Sequence, residues 1–305
     1  MKTLLIIGIG AGDPDFLTVQ AIKALNRVDV FFLMDKGASK DSLIHLRKHI
    51  CERFIEQPGY RFVEAECPER ARGVADYRAS VVDLNQDKQR VFEQMVHHEL
   101  ADGEVGGFLV WGDPALYDST LRIVEDIVQA SPEPITYEVI PGITSLQALA
   151  ARHKVCFNSI GQAFQVMPAR RLAEGFPDGL DSVLVMLDAR DTYCLFVDQE
   201  MDIYWGAYVG TADEVLIAGK VGEVAEQIRS IRAELRERHG WIMDSYLLRR
   251  RNADESDRQR WAGLDQAVAR FLTVVKRLIS GLSAKRLSVR TTRQVNNGSS
   301  STSGR

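Results

Sequence analysis

The sequence has few cysteines and no long apolar run. Its four cysteines, Cys51, Cys67, Cys156 and Cys194, are scattered over 305 residues, and none forms a C-x-x-C pair. A zinc site or a disulfide framework is therefore not expected, and a reducing cytoplasm is the expected location. No run approaches the roughly 18–20 apolar residues that a membrane span needs. A strand-like segment begins at once at the N-terminus, so no signal-peptide pattern is predicted.

Sequence patterns of several catalytic classes are missing as well. The chain contains no G-x-S-x-G motif and no Ser/His/Asp arrangement typical of hydrolases. Its most metal-like cluster, His97-His98-Glu99, consists of adjacent residues, which face different sides of a helix. We interpret this cluster as a solvated helix surface and predict no metal site.

The body of the chain has an excess of negative charge, and the tail has an excess of positive charge. The formal net charge is −4, but residues 251–305 contain 11 Lys and Arg against four Asp and Glu. We predict that this segment is a basic, largely disordered extension, because its end is polar and of low complexity. The acidic body disfavours an RNA substrate, for which a basic surface with aromatic patches is expected.

Apolar segments of strand length alternate with helical segments up to about residue 250. This alternation predicts an α/β protein with open parallel or mixed sheets. We place two α/β domains, with a cleft between them, at residues 1–118 and 119–250. The extension at residues 251–305 follows.

The most informative stretch is the first strand and its turn, residues 3–18. Glycines at positions 8, 10 and 12 follow a buried apolar strand and suggest a ligand loop. A dinucleotide fingerprint, G-x-G-x-x-G, would require its third glycine at position 13, where the chain has Asp13. A carboxylate there repels a pyrophosphate, so a nicotinamide oxidoreductase is disfavoured. Asp13 and Pro14 suit the start of a helix.

Three more loops of this kind follow apolar strands, at residues 112–117, 141–145 and 210–214. Ligands of open α/β sheets bind beyond the carboxyl ends of the strands, so the four loops predict one cleft. Pro114 would make the second loop rigid, and Asp113 would place a charge near a cationic ligand. The third loop offers amides and two hydroxyls, which suit a small polar ligand such as an amino-acid carboxylate.

The ordered motifs Gly8-x-Gly-x-Gly-Asp-Pro-x-x-Leu-Thr18, Gly112-Asp-Pro-x-x-Tyr117 and Pro141-Gly-x-x-Ser145 resemble those of the tetrapyrrole (corrin/porphyrin) methylases. The resemblance covers about residues 1–250. It implies an S-adenosylmethionine-dependent C-methyltransferase of two α/β domains, with its active site in the cleft between them. It also implies a homodimer and a tetrapyrrole substrate, without a metal or a membrane partner.

Three details narrow the resemblance to one branch of that family. They are Ala11, where most members have proline, the segment beginning at Trp111, and residues 239–248. The branch they resemble methylates C-1 of precorrin-5 in cobalamin biosynthesis and releases acetate. Alternatives are a member acting on another precorrin carbon, a diphthamide or ribosomal-RNA methylase, and a non-catalytic module whose basic tail binds nucleic acid.

The resemblance also implies a site, with the methyl donor against the later loops and the macrocycle against the first. The implied cofactor-binding residues are Trp111, Gly112, Asp113, Leu116, Tyr117, Ile143, Thr144, Ser145, Met186, Leu187, Tyr208, Gly210, Thr211 and Ala218. The implied substrate-binding residues are Gly10, Gly12, Asp13 and Pro14, with Arg170, Arg171 and Arg190 as candidate partners of its carboxylates. Release of acetate needs water delivered to a ketone, and Asp13 is the candidate general base, with helix capping as its alternative role.

Overall fold

A computed structural model describes residues 1–35, 41–68 and 77–251, without the side chains of residues 41–42 and 77–82. These residues belong to one compact unit, Met1–Ala253. The unit contains two five-stranded sheets, which confirms the predicted α/β class. The predicted basic extension lies outside the described residues. No helix in the described ranges is both long and apolar enough to cross a membrane.

The first sheet is parallel throughout, in the order β3-β2-β4-β1-β5. Its strands are β1 (Lys2–Gly8), β2 (Val30–Asp35), β3 (Arg61–Glu66), β4 (Val105–Val110) and β5 (Ile135–Ile140). Its helices are α1 (Val19–Leu25), α2 (Asp41–Phe54), α3 (Tyr77–Glu99) and α4 (Thr120–Ala130). The interior strand β1, between β4 and β5, is apolar on both faces because α1 and α2 cover Leu5 and Ile7, while α3 and α4 cover Leu4 and Ile6.

The second sheet is mixed, in the order β6-β7-β10-β8-β9. Its strands are β6 (Phe164–Pro168), β7 (Ser182–Met186), β8 (Met201–Ala207), β9 (Val215–Lys220) and β10 (Asp244–Arg250). Only β6 and β7 pair in parallel among these strands. The helices of this part are α5 (Ser145–His153), α6 (Ala169–Leu172) and α7 (Val221–His239). Its core contains the fully buried rings of Trp205, Tyr193 and Tyr246.

The structure corrects one local prediction. The helix expected directly after the first loop is divided, because Asp13 caps a short 3-10 helix (Pro14–Phe16) and Thr18 caps α1 separately. The first sheet includes β5, which pairs with β1, so the chain passes to the second sheet after Ile140. The division into domains at residues 1–118 and 119–250 stays a prediction.

Candidate active site

The first three loops meet at the carboxyl ends of β1, β4 and β5. Gly10 and Gly112 form an isolated antiparallel bridge, in which the Gly112 amide donates to the Gly10 carbonyl at 2.8 Å. The Gly142 amide donates to Asp113 Oδ2 at 2.8 Å, and Asp113 Oδ1 accepts the Ala115 amide at 2.8 Å. The Asp113 carboxylate therefore fixes the second loop to the third.

The fourth loop packs against the first. A Cβ added to Gly12 would lie 2.6 Å from Thr211 Cγ2, so this contact requires a glycine, which also has a φ of 131°. Arg152, at the end of α5, reinforces the contact: its guanidinium lies 3.1 Å from Glu214 and 3.7 Å from Asp13. The four predicted strand-end loops thus form one contiguous region.

Backbone strain is concentrated in this region. Five non-glycine residues in the described ranges have a positive φ, and three of them belong to the predicted cofactor set: Tyr117 (52°), Leu187 (58°) and Tyr208 (47°). A left-handed backbone at a bulky residue costs of order 1–3 kcal/mol and tends to be retained at functional sites. Tyr117 and Leu187 are also 47% and 60% exposed, unusual values for such side chains.

Apolar side chains join the second loop to the second sheet. Leu116 and Met186 lie in one cluster with Leu146 of α5, and the Tyr117 hydroxyl donates to the Val166 carbonyl of β6 at 3.4 Å. Two parts of the predicted cofactor set, at the ends of β4 and β7, are therefore adjacent. Ala218 is further out: it is exposed in β9 and paired with Tyr204, which borders the same cluster.

Several residues of the predicted cofactor set have side chains that already form hydrogen bonds within the chain. Tyr208 is buried, its hydroxyl donates to the Trp241 carbonyl at 2.6 Å, and burial raises its pKa to about 12. Thr144 forms a capping box with Gln147 at the start of α5. The Thr211 hydroxyl donates to the Tyr208 carbonyl at 2.8 Å. These residues offer a ligand mainly their backbone, and Ile143 and Ser145 flank Thr144 in the same turn.

The first loop is less open than predicted. Gly10 and Gly12 are buried, and Ala11 is fully buried, so the glycines serve contacts with the second and fourth loops. Pro14 and Asp13 are partly exposed. Asp13 Oδ1 accepts the Asp15 amide at 2.9 Å, which is the capping role. Substrate contact by these residues stays a prediction.

The candidate substrate arginines lie in different surroundings. Arg170 is close enough to Tyr117 to act on its phenol, whose pKa is raised mainly by burial and lowered in part by that charge. Arg171 forms an exposed ion pair with Glu174 at 2.8 Å. Arg190 is exposed. The charge of Arg170 therefore acts on a residue of the predicted site.

Two arginines near the loops were not predicted. Arg152 joins the first and fourth loops, and Arg47 of α2 donates from Nε to the Leu109 carbonyl of β4 at 3.1 Å. Both lie on amphipathic helices where a charged residue is ordinary, so no sequence signal distinguished them. Across residues 1–35, 41–68 and 77–251, no group of three or more His, Cys, Asp or Glu could hold a metal ion.

Comparison with known proteins gives this arrangement a family. The sequence profile of the Tetrapyrrole (Corrin/Porphyrin) Methylases matches residues 3–225. The chain is 46% identical over 250 residues to a precorrin-6A synthase (deacetylating) of Sinorhizobium sp., an alignment covering 82% of this chain and 96% of that protein.

Solved structures show the same fold. A cobalamin synthesis related protein, CobF, from Corynebacterium diphtheriae superposes with a TM-score of 0.70 and 34% identity, covering 82% of this chain and 98% of that one. Uroporphyrin-III C-methyl transferase from Thermus thermophilus, complexed with S-adenyl homocysteine, superposes with a TM-score of 0.50 and 16% identity, covering 81% and 96%. The second likeness is one of fold alone. From the profile match and the 46% identity, the chain belongs to the tetrapyrrole (corrin/porphyrin) methylases.

Proposed function

We propose that this chain is an S-adenosylmethionine-dependent methyltransferase of cobalamin biosynthesis. It methylates C-1 of precorrin-5 and releases acetate, which gives precorrin-6A. The observation that carries this proposal is the similarity to the Sinorhizobium precorrin-6A synthase over almost its full length. The four joined loops support a site at the carboxyl ends of the strands.

The residues around the second loop suit the methyl donor. Tyr117 and Leu187 keep large side chains exposed on a strained backbone, and Met186 and Leu116 supply an apolar floor. Bound there, S-adenosylmethionine would supply an electrophilic methyl group. Its transfer is a displacement at carbon, so the work of the chain is to align donor and acceptor. A site built of rigid, hydrogen-bonded loops is suited to alignment.

Asp13 is the proposed base for release of acetate. Its Oδ2 faces Arg152 at 3.7 Å, while its Oδ1 holds the Asp15 amide. The carboxylate would take a proton from the water that attacks the ketone carbonyl. Asp13→Asn keeps a capping oxygen but removes the base, so we expect methyl transfer to continue while acetate release falls by about 10²-fold or more. Equal rates of acetate release by Asp13→Asn and wild type would exclude this role.

Isothermal titration calorimetry of ligand binding to the full chain tests which class of cofactor it uses. S-adenosylhomocysteine should bind, and NADH should not. Asp113→Ala removes the acceptor of the Gly142 amide, so it should weaken S-adenosylhomocysteine binding about tenfold or more. The matched control is Asp87→Ala, which removes an exposed carboxylate of α3 and should leave the affinity unchanged. NADH binding in place of S-adenosylhomocysteine would refute the proposal.

The reaction itself is tested with precorrin-5 and isotopically labelled methyl donor. One acetate should be released for each methyl group transferred to C-1. Methyl transfer to another carbon without acetate would assign the chain to a different step. The predicted homodimer and cytoplasmic location also stay predictions, and light scattering coupled to size-exclusion chromatography measures the first.

A further inference from the structure

A cavity lies at the ends of the second loop (residues 112–117), beside the four strand-end loops. Its volume is about 140 Å³, against the roughly 10–15 Å³ that one water needs on the same measure. Trp111, the residue before the loop, and Asp118, the residue after it, both line the space. A ligand in the space would therefore contact both ends of the loop that we assign to the methyl donor.

The topology of the first sheet explains why a space exists there. Helix α2, which follows β2, packs on the face of Leu5 and Ile7, whereas α4, which follows β4, packs on the opposite face. The neighbouring strands β2 and β4 therefore send their connections in opposite directions. This arrangement is a topological switch point, and open α/β sheets bind ligands in the crevice at the carboxyl ends of the strands there.

The charges around the space favour an anion. Arg47 and Lys88 line it, and Asp118 is the one carboxylate among the lining residues that the structure describes. Asp118 already holds the Thr120 amide through Oδ1 at 2.7 Å. In the part of the chain that the structure describes, Arg47 forms no ion pair; its hydrogen bonds go to the carbonyl oxygens of Leu109 and Leu43.

One polar group at the space lacks a hydrogen-bond partner among the described residues, and a second is a cation that is hydrogen-bonded there only to neutral carbonyls. Trp111 Nε1 is buried and has no hydrogen-bond partner among the described residues. Burial also lowers the pKa of Arg47, and only the nearby charge of Asp118 opposes that shift. A buried donor without an acceptor and a cation without an anionic partner are both costly, so their presence at one space favours an anionic acceptor that enters it.

We propose that this space is a carboxylate subsite, in which Arg47 and the Trp111 indole N–H bind a carboxymethyl group. Apolar side chains such as Leu43, Phe92 and Phe108 line the remainder and suit the methylene or methyl carbon. The proposal rests on the proposed function, which offers two sources of such a group. One is an acetate side chain of the macrocycle, and the other is the acetate that the reaction releases.

The test uses the full chain and two probes, followed by quenching of protein fluorescence. The first probe is sodium acetate at constant ionic strength. The second is uroporphyrin III, compared with coproporphyrin III, which has methyl groups in place of the acetate side chains. The variants are Arg47→Gln, Arg47→Lys and Trp111→Phe, with Arg90→Gln as the control because Arg90 is exposed on α3.

Loss of a charged hydrogen bond should weaken carboxylate binding by Arg47→Gln about tenfold or more. Arg47→Lys should recover part of the loss, Trp111→Phe should lose a few fold, and Arg90→Gln should bind as wild type. An Arg47-dependent affinity for acetate identifies the released product as the occupant. If only uroporphyrin binding depends on Arg47, and coproporphyrin binds more weakly than uroporphyrin, the occupant is an acetate side chain of the macrocycle.

Affinities that are independent of both Arg47 and Trp111 for both probes would overturn the subsite. Because Arg47 also donates to two backbone carbonyls, thermal unfolding of each variant is measured alongside, and Trp111→Phe keeps the test valid if Arg47→Gln does not fold. S-adenosylhomocysteine binding to wild type is measured separately. Its failure would count against the proposed function, whereas failure of the probes alone would count against the subsite.

Discussion

Arg232→Met should destabilise the protein far more than any exposed arginine substitution. Arg232 of α7 is buried, with 5% of its side chain exposed, and it donates to Asp244 Oδ2 at 2.9 Å and Asp191 Oδ1 at 2.7 Å. Asp244 is equally buried, at 3%, and also accepts the Trp205 indole N–H at 2.9 Å. Removing the guanidinium leaves a buried carboxylate without its cation.

The cost of breaking a buried ion pair on one side is about 3–5 kcal/mol. Typical domains have an unfolding free energy of only about 5–15 kcal/mol, so the variant should lose a large share of its stability. For a chain of this size the expected fall in melting temperature is roughly 6–20 °C. The exposed control, Arg238→Met, lies on the same helix and loses a pair with Glu234 that is worth about 0.3–0.5 kcal/mol.

The pH dependence gives a second, independent readout. Burial raises the pKa of Asp244 even in the wild type, and Arg232 and Trp205 lower it in part. Without Arg232 the pKa should rise further. A carboxyl whose folded pKa is raised favours the folded state when protonated and loses that contribution as pH rises through the folded pKa. The loss in unfolding free energy caused by Arg232→Met should therefore become smaller as pH is lowered from about 7.5 toward 5.

Urea unfolding of wild type and both variants at several pH values measures these effects. The reasoning is refuted if Arg232→Met lowers the unfolding free energy no more than Arg238→Met does. It is also refuted if the loss caused by Arg232→Met is the same at every pH. A pH-dependent deficit in Arg238→Met would also count against it, because that pair is exposed at both ends.

Three further predictions concern the helix and loops beside the site. Thr144→Ala breaks the capping box with Gln147 and should cost about 1 kcal/mol, read from thermal unfolding; an unchanged melting temperature would contradict the capping role. Burial lowers the pKa of His153, so its contribution to stability is present above its unfolded pKa of about 6.5 and lost as pH falls through its folded pKa. His153→Gln should flatten the pH dependence of urea unfolding in that window, and an unchanged slope would refute this. Gly12→Ala must meet Thr211 at 2.6 Å with a φ of 131°, so calorimetry should show weaker S-adenosylhomocysteine binding; wild-type affinity would contradict the loop contact.

The strands that organise the site could be predicted because their signals are local. Buried parallel strands are continuous apolar runs, and the Gly-Asp-Pro and Pro-Gly turns mark their carboxyl ends. The edge strand β6 has no such signal. Residues 158–173 show no clear apolar pattern, because β6 is an edge strand in which Phe164 is 40% exposed and Gln165 is also exposed.

The partners of the buried arginines could not be predicted from the sequence, for a different reason. Arg232 finds Asp191 across 41 positions, and Arg47 finds the Leu109 carbonyl across 62. Pairing of this kind depends on how helices pack on sheets, and a helix with many charged residues gives no indication of which one is buried. The cofactor contacts predicted for Thr144 and Tyr208 stay predictions; the sequence does not show that their hydroxyls already have partners within the chain.

The glycines of the first loop allow close contacts within the chain. The pattern Gly8, Gly10, Gly12 indicated close approach of a ligand, yet the groups that approach are other loops of the same chain: Gly142 at Gly8, and Thr211 at Gly12. These contacts leave little room for a diphosphate beside Gly8 and Gly12. Tyr117 of the second loop and Leu187 at the end of β7 remain exposed on strained backbone, and we propose these faces for the methyl donor. The first loop contacts the second through the Gly10–Gly112 bridge and the fourth through Gly12 and Thr211, so in this proposal it supports the site without binding the donor.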